Sequence, residues 1–170
     1  FTCPKVQNKK IFLRYLRNFI KKKKIKIVFP FSEYEAEILS LEKEYYKKKG
    51  VKVIISDFKV IRICSDKIKT NKFLNQIKIA TPRLIDFEKV GNNLPIIIKK
   101  RFGSGSKHQF IIRDKRLKIL KYDKSFVYQK LYKYQEYGMD ILNDLKGNFL
   151  HTTVKKKLAM RSGDTDRAKL

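Results

Sequence analysis

The sequence predicts an α/β lobe followed by an α+β lobe, with the boundary near Ile63–Lys67. Three observations carry this expectation. Between Ile25 and Ile55 a strand, a helix of more than a dozen residues and a second strand follow one another, the order of a parallel crossover unit. Beyond Ile63 the apolar runs are short and separated by turn formers, as antiparallel strands require. Hydrophobic residues make up 42% of the 170 residues and aromatics 12%, so a core can form and wholesale disorder is excluded.

Each element has its own signal. Ile11, Phe12, Tyr15, Leu16, Phe19 and Ile20 recur at helical spacing, which predicts an amphipathic helix over about 10–22. Ile25–Phe29 reads as a strand ended by Pro30. Tyr34, Ile38, Leu41 and Tyr45 share one helical face. Acidic residues at the start of that helix and Lys47–Lys49 at its end suit the macrodipole, and Gly50 stops it. Val51–Ile55 is the second strand. Ser65 or Asp66 can cap a helix from Lys67 to about Gln76, broken by Thr81-Pro82. Strands follow at Pro95–Lys99, Gln109–Ile112 and Ser125–Gln129. A hairpin then joins Met139–Leu142 to Phe149–Val154 around a turn rich in Asn, Asp and Gly.

The formal charge of +26 favours polyanions in general: nucleic acid, anionic membrane or phosphate-bearing ligands. The excess is lysine, 33 residues against nine arginines, and it is spread along the whole chain. Such a bias is first of all a solvated surface. Charge alone does not decide the function.

Several classes are set aside. No apolar run approaches the roughly 20 residues of a spanning helix, and the first residues show no apolar leader, so no membrane partner is expected. Cys3 and Cys64 cannot build a disulfide framework, which makes a reducing, cytoplasmic setting the expectation. His108 and His151 are too few for a zinc cluster. Asp140, Asp144, Asp164 and Asp166 have no metal-site spacing, so no metal ligand is assigned. No GxSxG elbow is present.

One loop carries chemistry. Gly103-Ser104-Gly105-Ser106 can turn several backbone N–H groups toward an anion, with two hydroxyls beside them. It matches neither the P-loop nor the GxGxxG pattern. Lys99 lies four residues upstream on the strand that enters the loop, where its ammonium could neutralise phosphate charge. Lys67, opening a helix, is a second cation of this kind.

The order of these residues resembles a family. Asp66-Lys67-x-x-Thr70-x-x-Phe73-Leu74 is followed by Thr81-Pro82 and by Pro95-x-x-x-Lys99-x-x-x-Gly103-Ser-Gly-Ser106. Tyr128-Gln129-Lys130-Leu131 and Glu136-Tyr137-Gly138-Met139-Asp140 come next. This series resembles the ATP-grasp superfamily, and within it the ATP-binding domain of the carbamoyl phosphate synthase large subunit and related carboxylate–amine ligases. Ile27-Val28-Phe29-Pro30 with Glu33-Tyr34-Glu35 resembles the end of the Rossmann-like domain that precedes it there.

The resemblance implies a partial Rossmann-like pre-ATP-grasp lobe over 1–64 and an incomplete ATP-grasp fold over 65–170. The small lobe would span about 80–126, and the second lobe would begin at 127. It implies ATP as ligand, with Lys67 and Lys99 on the phosphates and Gly103, Ser104, Gly105 and Ser106 as the loop closing over them. Gln129 and the Leu131 backbone amide would face adenine, Glu136 would accept from the ribose hydroxyls, and Arg161 would lie near the transferred phosphate or the acceptor. Phe126, Val127, Leu131 and Met139 are candidates for the apolar slot around the base. An ATP-dependent ligase would phosphorylate a carboxylate to an acyl phosphate that an amine attacks, and a homo-oligomer is compatible with the likeness.

Two departures stand out: Lys100 where many relatives have Pro, and Gln129 where Glu is frequent. The family's magnesium-binding carboxylates and Asn fall downstream of the last residue here, so Mg²⁺ is expected only in the intact enzyme. The chain reads as truncated at both ends, with weak nucleotide binding and no ligase turnover of its own; whether it is an enzyme is left open. The alternatives are a basic nucleic-acid-binding module, in which lysines interleave with tyrosines from Lys121 to Tyr137, and an inactive remnant of the fold.

Overall fold

Ile27 and Val28 pair in parallel with Lys52 and Val53, and the helical segment between the two strands makes the crossover that the strand–helix–strand pattern requires. These strands belong to a computed structural model that describes residues 2–103, 105–106, 108–114, 121–161 and 164–170. The chain divides into two compact units, Phe1–Ser65 and Asp66–Leu170.

The first unit contains α1 (Lys9–Lys22), β1 (Ile27–Val28), α2 (Glu33–Leu41), α3 (Lys43–Lys48), β2 (Lys52–Val53) and α4 (Phe58–Cys64). Phe12, Leu13 and Ile20 of α1 pack with Leu39, Tyr46, Val51 and Val53. Ser32 starts α2 with a capping box: its hydroxyl accepts from the Glu35 amide and Glu35 accepts from the Ser32 amide. The single helix expected from Glu33 to Lys49 is interrupted at Glu42, whose backbone leaves the helical region while its carboxylate pairs with Arg17 of α1. Gly50 then adopts a φ of 70°, the left-handed conformation a helix stop uses. The strands expected at 25–29 and 51–55 are each two residues long. The helix α4 was not anticipated, because it buries none of its residues and so leaves a weak periodic signal.

The second unit opens with α5 (Lys67–Gln76), where the sequence places it. Asp66 caps it, accepting from the amides of Ile68 and Lys69. The buried Asn71 of α5 donates to the Thr81 hydroxyl and to the Pro82 carbonyl, which fastens the chain after the helix. A 3₁₀ turn (Phe87–Asn92) leads to an antiparallel sheet ordered β4–β3–β5, made of β3 (Ile96–Lys100), β4 (Phe110–Ile112) and β5 (Phe126–Lys130). One face of that sheet, with Ile96, Ile98 and Tyr128, packs on Ile85 and Val90, and Phe87, Leu94, Ile112 and Phe126 surround them. A second antiparallel sheet follows: β6 (Tyr137–Asn143), β7 (Phe149–Arg161) and β8 (Asp164–Lys169). Its first hairpin turns where expected, on Asp144, whose carboxylate accepts from the amides of Lys146 and Asn148. However, β7 runs on to Arg161 instead of ending at Val154, and β8 was not foreseen in a segment dominated by charged and small residues. No helix among the described residues is long and apolar enough to cross a membrane.

Candidate functional site

The pleat of β3 decides which side chains meet. Ile96 and Ile98 point to the core, so Ile97 and Lys99 point to the other face. On β5, Val127 stands opposite Lys99 and Gln129 opposite Ile97, so these four share that second face. The same alternation corrects one expectation. Phe126 lies on the core side, against Phe110 and under the Lys100 ammonium at 4.3 Å, and does not line the slot with Val127. Lys100 lies on the core side with Phe126, and its ammonium also donates to the Ser125 hydroxyl.

Lys99 is half-buried, and among the described residues its ammonium has no hydrogen bond and no ion pair. Burial pushes its pKa below the ordinary lysine value, the nearby Lys67 pushes it further down, and Glu136 partly offsets both. Lys67, Lys99 and Glu136 therefore lie within electrostatic reach of one another. Lys67 sits at the first position of α5. Its amide donates to the Arg101 carbonyl at 3.1 Å and its ammonium to the Gly103 carbonyl at 2.8 Å. Gly103 and Gly105 have φ of 109° and 71°, and Ser106 has 52°, so the loop takes positive φ at three described positions, two of which are glycines, the residue that adopts it at least cost. Ser104 lies outside the described residues.

Gln129 is only 8% exposed, yet its side-chain amide has no partner among the described residues. Its polar atoms are not among the described side-chain atoms that are fully enclosed without a hydrogen bond, which are Arg17 Nε and Tyr46 Oη, so the amide end stays within reach of a ligand or a water. Leu131 requires a correction. Its backbone N–H donates to the Pro95 carbonyl at 3.1 Å, extending the β3–β5 ladder, and is not available to read a base. The next amide, that of Tyr132, has no partner among the described residues and begins the irregular run to Glu136.

Glu136 pairs with Lys157 at 3.2 Å, while the Lys157 amide donates to the Glu136 carbonyl and the Gln135 side chain bridges both carbonyls. Arg161 ends β7, exposed and opposite Asp164 in the ladder, and no hydrogen bond or ion pair joins it to this cluster among the described residues. Met139, opposite Val154, is likewise exposed on the second sheet.

Sequence reasoning missed Arg101 and Lys157. Arg101 forms a two-pronged ion pair with Asp66, and Lys157 holds Glu136. Arg101 had a readable signal, since a residue two past Lys99 continues on the same face of an extended chain. Lys157 had none, because its strand was expected to stop at Val154.

These groups suit a nucleotide. Two cations and a glycine loop match a chain of phosphates, and an unpaired amide side chain with a free backbone N–H matches the polar edge of a base. Magnesium is a separate matter: no group of three or more His, Cys, Asp or Glu capable of holding a metal occurs among the described residues.

Comparison with known proteins places the chain. Residues 64–164 match the family model for the ATP-grasp domain, ATP-grasp_3. A carbamoyl-phosphate synthase of Methanobrevibacter smithii is 32% identical over 77 residues, covering 42% of this chain and 21% of that protein. The biotin carboxylase of Campylobacter jejuni, solved as a β,γ-ATP complex, superposes with a TM-score of 0.70 at 14% identity, over 94% of this chain and 41% of that one. The biotin carboxylase domain of 2-oxoglutarate carboxylase from Hydrogenobacter thermophilus, solved with MgADP, ADP and bicarbonate, gives 0.64 at 16% identity, over 89% and 38%. A D-alanine–D-alanine ligase from Bacillus anthracis in complex with ATP gives 0.57 at 20% identity, over 85% and 53%. The chain spans about a fifth of the curated relative and about half or less of these structures. With a family model covering 64–164 of its 170 residues, and a fold shared with carboxylases and ligases, the chain belongs to the ATP-grasp family.

Proposed function

We propose that this chain is the ATP-binding portion of an ATP-dependent ligase of the carboxylate–amine type, similar to the carbamoyl phosphate synthase large subunit. The observation that carries the reading is Lys99, a half-buried ammonium without a described partner, beside Lys67 and on one face with Gln129. Desolvating the Lys99 ammonium beside a second positive charge is unfavourable unless an anion joins them. Lys67, Lys99 and the loop through Gly103, Gly105 and Ser106 hold the phosphates. The Gln129 side chain and the Tyr132 amide meet the adenine edge, and Val127 gives an apolar wall. Glu136 accepts from the ribose hydroxyls, because a carboxylate only accepts and hydroxyls donate. Lys157 keeps it in place.

In the intact ligase a carboxylate oxygen attacks the γ-phosphorus, ADP departs, and the acyl phosphate is attacked by an amine, which releases inorganic phosphate and a proton. This chain's share is positioning and neutralising charge, the larger part of catalysis in phosphoryl transfer. Arg161 is assigned to the acceptor or the transferred phosphate. The bound metal ion supplies further neutralisation of phosphate charge in such chemistry, and the residues described here add no step through it.

ATP-protected lysine modification tests the reading. A limiting amine-reactive reagent followed by peptide mass spectrometry should label Lys99 ahead of the surface lysines, because its lowered pKa leaves more neutral amine, and ATP should suppress that label selectively. Lys99 labelling that ATP leaves unchanged would contradict it. A second reading has one specific support: Tyr132 and Tyr134 are exposed and stacked with ring centroids 6.2 Å apart, as a single-strand binding surface would offer. That reading predicts equal protection by oligonucleotides and by ATP, erased by salt.

A further inference from the structure

The ion pair between Asp66 and Arg101 is buried on the carboxylate side, with Asp66 only 1% exposed. Arg101 Nε donates to Asp66 Oδ1 at 2.9 Å and Nη2 to Oδ2 at 2.7 Å, a parallel two-pronged pair. Asp66 already caps α5, for which a neutral Ser or Asn would serve equally well. A buried ion pair is also a poor source of net stability, since well-packed apolar groups do as well or better. Its geometry has a different consequence. The Arg101 amide donates to the carbonyl of Ser125, just before β5 begins, and the Arg101 carbonyl accepts from the amide of Lys67. Lys67 then reaches the carbonyl of Gly103, two residues beyond Arg101. Arg101 thus grips residues 66 and 67 with its side chain and its backbone at once, between Lys99 and the glycine loop.

We infer that Asp66 and Arg101 form a positioning clamp that sets the Lys67 ammonium against Lys99 and the glycine loop, and so tunes the site for the polyphosphate of a nucleotide rather than for its nucleoside. The inference rests on the nucleotide reading above. The clamp touches no ligand itself; it fixes the separation of two cations, which a phosphate chain senses and a nucleoside does not. The lowered pKa of Lys99, which Lys67 helps to cause against the opposing Glu136, gives a ligand-free measure of that separation.

Two measurements on the whole chain test this, with Arg101→Met and Asp66→Asn as disrupting variants. Asn can still cap α5, which guards against simple loss of the helix. The first is the pH midpoint of Lys99 labelling by an amine-reactive reagent, read by mass spectrometry, with Lys67→Met as the reference for full removal of the neighbouring charge. The midpoint should rise in Arg101→Met and Asp66→Asn in the same direction as in Lys67→Met, and Arg101→Lys should restore it toward wild type. The second is binding of ATP and of adenosine. ATP should weaken about tenfold in both disrupting variants while adenosine stays within about twofold. An unmoved Lys99 midpoint in Arg101→Met, or equal weakening of ATP and adenosine, would overturn the clamp. Absence of ATP binding by the wild-type chain would instead overturn the nucleotide reading and with it the polyphosphate preference, and the Lys99 midpoint would then decide the clamp alone.

Discussion

The backbone amide of Leu131 donates to the carbonyl of Pro95 at 3.1 Å, carrying the β3–β5 ladder past the ends of both strands. The first amide released from pairing is that of Tyr132. In the proposed site this N–H meets N1 of adenine, an acceptor. An ATP analogue with a C–H in place of N1 leaves the amide facing a group that cannot accept. It should bind roughly 2- to 10-fold more weakly than ATP, the worth of one net hydrogen bond. Equal affinities, measured by calorimetry, would remove Tyr132 from the base edge.

Gln129 separates function from stability. Its side chain is buried without a described partner, so Gln129→Leu should leave the unfolding free energy unchanged or raise it by up to about 1 kcal/mol. The same change should weaken ATP several-fold, because the polar contact on the Lys99 face is gone. Thermal unfolding and ATP titration of one preparation check both halves. A variant that loses stability and binding together would make Gln129 a structural residue.

Ile96 is the centre of the second unit's core and fully buried, at 0% exposure. Ile96→Ala should cost about 2–5 kcal/mol, the usual range for a large-to-small change where the surroundings cannot collapse. Chemical denaturation should report that loss in the unit that carries the β4–β3–β5 sheet. A loss below about 1 kcal/mol would mean the core is far looser than its packing indicates.

Acid should act through Asp66. The Arg101 guanidinium, helped by the amides of Ile68 and Lys69, holds its pKa below the ordinary carboxylate value in spite of burial. A folded pKa below the unfolded one gives stability that is fully present above the unfolded value of about 3.9 and disappears as pH falls through the folded value. The stability of the wild type should therefore fall more steeply below about pH 4 than that of Asp66→Asn. Lys99 gives a slope of the same sign at the alkaline end: its lowered pKa means that the unfolded chain binds more protons just below the ordinary lysine value, so stability again rises with pH there. Parallel acid curves for wild type and Asp66→Asn would contradict the Asp66 assignment.

The elements that could be read from the sequence were those whose apolar residues face a core. The helix α5 begins and ends where its Asp66 cap and apolar spacing place it, and β3 and β5 lie within a residue of expectation. The elements that could not be read lack that face: α4 buries nothing, and β7 and β8 carry mostly exposed side chains. The order of motifs singled out Lys67, Lys99, Gln129 and Glu136, and the structure brings Lys67 and Glu136 within electrostatic reach of Lys99. Their partners were not legible, because the Asp66–Arg101 pair spans 35 positions and the Glu136–Lys157 pair depends on a strand register that periodicity alone does not set. The Leu131 amide shows the same limit, since one ladder hydrogen bond moves the free donor by one residue.

The central claim is a nucleotide pocket built on Lys99. Titration of ATP and GTP at about 0.2 M salt, where surface attraction is largely screened, tests it most directly. The wild-type chain, Lys99→Ala and Lys22→Ala would be compared, Lys22 being one of the exposed lysines that end α1. The account predicts that ATP binds in preference to GTP in the wild type and in Lys22→Ala, and that Lys99→Ala abolishes the preference together with most of the affinity. Weak binding of equal strength to all three chains, with no choice between the bases, would contradict it and leave only the attraction of a basic surface for an anion.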